Sequence, residues 1–138
     1  MPMQGRAGFT LVEMMVLVGI FGLVVALSIP NVASYVRSNQ LDTSVDRMAA
    51  DLNLARTMSI TNGRIFRLTT TEGGYRLVDT ISGEVLRNRS FEGDVALDTA
   101  DSAQFFPWGM AEAKVFNLTS SVGDRSINLL PTGVVEVH

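Results

Sequence analysis

From Phe9 to Ile29 the chain carries a single charged side chain, Glu13, and this run limits what the rest can become. As a helix its 21 residues span about 31 Å, close to the hydrocarbon thickness of a bilayer. A secretory signal would place its positive charge before the apolar run and a small-residue cleavage site after it. Here the small residues Ala7 and Gly8 come first, behind a polar leader with one basic side chain, Arg6. A cut after Gly8 removes residues 1–8 and leaves the apolar segment, residues 9–30, on the mature chain.

Glu13 is the fifth residue after that cut. An acid inside a membrane helix costs about 2.5 to 3.5 kcal/mol at the centre and less near an end, so the carboxylate needs a partner. Cleavage creates one, because the new amino group of Phe9 is positive and lies one helical turn away. A carboxylate in the first turn also suits the positive end of the helix dipole. The other reading is an anchor helix whose Glu13 snorkels to the interface.

The string Gly8-Phe9-Thr10-Leu11-Val12-Glu13, followed by an apolar helix closed by Pro30, resembles the N-terminus of type IV pilins and type II secretion pseudopilins. That resemblance implies processing at Gly8 and Phe9: cleavage by prepilin peptidase, then N-methylation. It implies a single-pass subunit stored in the bacterial inner membrane, with its globular part in the periplasm, and passed to an inner-membrane assembly platform. Glu13 and Pro30 become assembly residues, with the helix packed into a filament core and Glu13 paired with the amino terminus of a neighbouring subunit. The family more often has a basic residue directly before the glycine, where this chain has Ala7.

With 138 residues, one modest domain follows the apolar segment. The formal charge is −3, and losing Arg6 with the leader leaves 10 basic against 14 acidic side chains. That balance argues against a generally basic surface for nucleic acid or anionic lipid. There is no cysteine, so the domain is stabilised by its core or by assembly rather than by disulfides.

Pro30 lacks a helix amide, so the helix should bend or loosen near Ser28 to Asn31 without having to stop. Beyond it Leu41, Val45, Met48, Leu52, Ala55 and Ser59 recur at spacings of three and four, one face of an amphipathic helix, with Asp42, Asp46, Asp51 and Arg56 mainly elsewhere. Asn62-Gly63 supplies the stop. The spacing therefore predicts an amphipathic helix over about 31–62 and β-strands over 64–138, together a globular domain of residues 31–138. Ile65 to Thr70, Tyr75 to Thr80 and Gly83 to Arg89 read as a meander of hairpins. Ser90 to Ser102 reads as an exposed acidic loop with room for one short strand. Ala103 to Phe106, Lys114 to Thr119, Ser126 to Leu130 and Val134 to His138 read as further strands. The fold class is α+β: a long N-terminal helix, apolar then amphipathic, packed on an antiparallel β-sheet.

Phe106-Pro107-Trp108-Gly109, then Phe116, Leu118, Gly123, Ile127 and Leu129, and finally Thr132-Gly133-Val134-Val135-Glu136-Val137, are similar to the globular domain of the GspH/FimT group of H-type pseudopilins and minor pilins. With Leu54-Ala55-Arg56 and the N-terminal string, the resemblance covers nearly the whole chain.

Little here carries chemistry. His138 is the only histidine and there is no cysteine, so neither a histidine-based nucleophile pair nor a zinc site has its ligands. The reading is a non-enzyme with no catalytic, cofactor-binding or metal residue. Asp94, Asp98 and Asp101 match no calcium loop, and Gly73-Gly74 is a hairpin turn, since no Lys-Ser or Lys-Thr pair follows it. Arg87, Arg89 and Phe91 form a basic and aromatic cluster. Related minor pilins of the T type have a basic C-terminal region linked to DNA binding, but Glu84, Glu92 and Asp94 flank the cluster here and no arginine follows Arg125. Trp108 reads as a turn aromatic covering the sheet. The expected function is that of a minor pseudopilin or minor pilin whose partners are other subunits, prepilin peptidase and the platform. Alternatives are a pilus-borne DNA receptor or adhesin, and a major pilin or pseudopilin.

Overall fold

The computed structural model describes residues 9–138, apart from the side chains of residues 28–31. It opens with helix α1, Leu11–Asn62. The helix is entered through a cap: Thr10 Oγ1 accepts the Glu13 amide at 3.3 Å and the Thr10 carbonyl accepts the Met14 amide at 3.2 Å. It is left through Gly63, whose φ of 63° is open to glycine at no steric cost, while the Arg64 amide folds back to the Ser59 carbonyl at 3.2 Å. The helix continues through Pro30, as the sequence allowed; the expected bend there falls outside the described side chains. The chain divides into two compact units, one ending at Tyr35 and one spanning Val36–His138.

In the second unit the described residues form eight strands: β1 Phe66–Thr71, β2 Gly74–Asp79, β3 Val85–Ser90, β4 Ala96–Leu97, β5 Ser102–Phe105, β6 Lys114–Ser120, β7 Gly123–Leu129 and β8 Val135–Val137. They pair antiparallel into two four-stranded sheets, β3-β2-β1-β5 and β4-β6-β7-β8. The meander β1 to β3 follows the sequence reading. The second half departs from a simple meander, because β4 joins β6 while β5 returns to β1. That exchange is fixed at the Thr70 and Asp101 position, where the Thr70 amide and hydroxyl donate to the Asp101 carbonyl and the Asp101 amide donates to Thr70 Oγ1.

Alternation along each strand decides the core. Phe66, Leu68, Leu77, Phe105, Phe116, Leu118, Ile127 and Leu129 turn inward and are buried with the helix stripe Leu41, Val45, Met48, Leu52 and Ala55. Each such side chain contributes roughly 1.5–3 kcal/mol on burial, against about 0–1 kcal/mol for an exposed ion pair. Apolar packing therefore holds the helix on the sheets. The Ser90 to Ser102 segment is less exposed than its acidic sequence implied. Val95 and Leu97 are buried in the same core, and β4 forms around Leu97 opposite Leu118.

Candidate functional site

The N-terminal unit is the first candidate. Every residue from Phe9 to Leu27 is exposed, on a helix long and apolar enough to cross a membrane. A helix that is apolar all round needs lipid or protein about it. Thr10 and Glu13 sit at its entry in the Thr-x-x-Glu spacing of a capping box, and the amide half of that box is formed. That spacing is the local sequence signal for the cap. Glu13 is thus a residue of the first turn, where its charge meets the positive helix end. Gly8 lies outside the described residues. Phe9 is exposed and Pro30 is helical.

The second candidate was the basic cluster of β3, and the structure uses those arginines internally. Asp51 is buried, 6 % exposed, and not on the polar side of α1 as its charge suggested. Its Oδ2 accepts Tyr75 Oη at 2.8 Å and Arg89 Nε at 3.0 Å, and its Oδ1 lies 3.8 Å from Arg87 Nε. Phe91 packs against the Tyr75 ring at 5.9 Å. Burial first, then the bond to Asp51, pushes the Tyr75 phenol far above its ordinary range, so it stays a donor. The helical spacing contained this too, since Asp51 stands three residues after Met48 and four before Ala55 on the buried stripe.

The acidic loop does not gather its carboxylates. Asp94 accepts the Ser121 amide at 2.9 Å, Asp101 accepts Lys114 Nζ at 2.9 Å, and Asp98 faces Asn117, Asp124 and Arg125 across a shallow depression of about 430 Å³. Glu92 is bonded to Arg47. His138 is exposed, 3.8 Å from Glu136. Trp108 does not cover the sheet. It is 68 % exposed and stacks on Phe106 at 5.0 Å, because the Gly109 turn, closed by Phe106 and Met110, carries the indole away from the strands.

An exposed apolar helix, capped at Thr10 and running into an α+β head, is the architecture of a type IV pilin-like subunit. A family described as type II transport protein GspH matches residues 44–133, and the chain belongs to that family, within the GspH/FimT-like group of pilins and pseudopilins. The family is structural. Two crystal structures of the type IV minor pilin FimU from Pseudomonas aeruginosa share the fold. One has a TM-score of 0.63 at 15 % identity over 75 % of this chain and 92 % of FimU. The other has a TM-score of 0.59 at 15 % identity over 71 % and 92 %. No curated protein matches the chain. The family match begins at Ser44, so the Gly8 to Glu13 string stands apart from it.

Proposed function

We propose that this chain is a minor subunit of a type II secretion pseudopilus or a type IV pilus, cut after Gly8, methylated at Phe9 and stored in the bacterial inner membrane with its head in the periplasm. The observation that carries this reading is the exposed apolar helix that starts at the Thr10 cap with Glu13 in its first turn. Prepilin peptidase cuts the leader, the assembly platform receives the subunit, and α1 enters the filament core through Glu13 and the segment around Pro30. There the Glu13 carboxylate meets the amino terminus of a neighbouring subunit, so that neither charge is left unpaired among apolar side chains. The match to the type II transport family supports the secretion form, and the fold shared with the type IV minor pilin FimU supports the pilus form.

Mass spectrometry of the membrane-bound protein tests the processing step. The expected mass lacks residues 1–8 and carries one methyl group at Phe9. An intact Met1 in cells with active prepilin peptidase would contradict the reading. A DNA receptor built on Arg87 and Arg89 finds no support, because both guanidinium groups already face Asp51.

A further inference from the structure

The solvent-facing sides of the two sheets in the Val36–His138 unit carry opposite charge. On the first sheet the outward residues are Arg67, Thr69 and Thr71 of β1, Arg76 and Val78 of β2, Asn88 of β3 and Gln104 of β5. Arg67 lies opposite Val78 and Arg76 opposite Thr69, which makes the two arginines diagonal neighbours about 7–8 Å apart. Neither guanidinium makes a hydrogen bond or ion pair among the described residues, whereas Arg47, Arg64, Arg87, Arg89, Lys114 and Arg125 all have a carboxylate partner. Glu112, at the edge of this face, accepts the Gln104 amide and pairs with neither arginine. Two shallow depressions of about 290 and 300 Å³ flank the Thr69 and Val78 pair, with Arg76 lining one and Arg67 the other.

The second sheet is the reverse. Its outward side presents Asn117 and Thr119 of β6, Asp124, Ser126 and Asn128 of β7 and Glu136 of β8, with Asp98 beside Asn117. The side chains of Asp98 and Asp124 have no partner among the described residues, and Glu136 has only His138, at 3.8 Å. Arg125 reaches the same depression but its guanidinium is 3.3 Å from Asp42. A net acidic chain has thus kept two free arginines on one face and three weakly partnered carboxylates on another.

Complementary faces on one molecule define a heterologous contact, in which a patch on one copy meets a different patch on the next. We infer that the head docks on a second copy of its own chain, with the Arg67 and Arg76 face of one copy against the Asp98, Asp124 and Glu136 face of the other. Opposite potentials orient the encounter, and the exposed Thr, Asn and Gln side chains on both faces supply hydrogen bonds at the rim. The choice of partner rests on the assembly reading, but the contact itself requires neither cleavage at Gly8 nor methylation.

The chain has no cysteine, so single cysteines report single contacts. Thr69→Cys and Asn117→Cys full-length chains, co-expressed and treated in isolated membranes with a short bis-maleimide, should give a mixed dimer several-fold above either same-site dimer. Raising the salt to about 0.5 M should lower that yield, because screening shortens the range of the attraction. Arg67→Glu with Arg76→Glu should abolish the dimer, and Asp124→Arg with Glu136→Arg in the other copy should restore it. Same-site dimers equal to the mixed one, a cross-link to a protein of another mass in its place, or charge reversal without effect would each overturn the inference. Intact-chain mass from the same membranes reports cleavage separately, so processing and docking can fail independently.

Discussion

Tyr75 Oη donates to Asp51 Oδ2 at 2.8 Å, and that bond joins the second sheet strand to the middle of the buried helix stripe. Asp51 is buried, so its carboxylate is satisfied by the phenol and the two arginines that reach it from β3. Tyr75→Phe leaves one bond of the buried carboxylate unmade and should cost roughly 1–3 kcal/mol. Arg89→Ala should cost less, because its side chain is 45 % exposed and water replaces it. Thermal unfolding of a chain starting at Val36, itself a compact unit, ranks the two.

Gly133 should tolerate no side chain. Its φ is 74° and a Cβ there would stand 2.5 Å from the Gly109 carbonyl oxygen and 2.8 Å from Arg56 Nε. Gly133→Ala is expected to cost roughly 2 kcal/mol or more, from backbone strain and from breaking the contact between the two turns. Gly63 has a similar φ but open space around it. Gly63→Ala should cost only the strain, about 1 kcal/mol, and the difference in unfolding temperature separates the two contributions.

Acid should weaken the head. The Ile81 amide first, and then Arg64, hold Asp79 below the ordinary carboxylate range, as Ser121 does for Asp94 and Lys114 for Asp101. A carboxyl depressed in the folded state binds its proton more readily when unfolded, so protonation favours unfolding. The stabilisation is complete above the unfolded value of about 3.9 and is lost as pH falls from there through the folded values. Melting temperature should be level between about pH 5 and 8 and drop below about pH 4. Asp101→Asn should flatten that drop.

The sequence was most legible where one period ran unbroken. The stripe from Leu41 to Ser59 and the strands around Phe66, Phe116 and Ile127 were readable because burial repeats at the helix or strand period. The exchange of β4 and β5 between sheets was not, since nothing local to Leu97 or Ala103 specifies a strand partner as distant as Leu118 or Leu68. The charge of Asp51 suggests the polar side of the helix, but its spacing from Met48 and Ala55 places it on the stripe. The Arg67 and Arg76 face depends on which arginines find carboxylates, a property of pairing across strands. The cap at Thr10 is legible in its three-residue spacing to Glu13.

The central claim is that Glu13 serves assembly. Removing an acid from a membrane helix should by itself improve anchoring, so a residue that merely burdens the helix predicts harmless substitution. A residue that pairs with a neighbour's amino terminus predicts the opposite, because its loss strands a positive charge in an apolar core. The decisive measurement is co-purification of Glu13→Leu with partner subunits from membranes, alongside a secretion or pilus assay. The account predicts a protein that is made, cut after Gly8 and retained in the membrane, yet recovered without partners and inactive. Wild-type recovery of partners together with wild-type activity would contradict it.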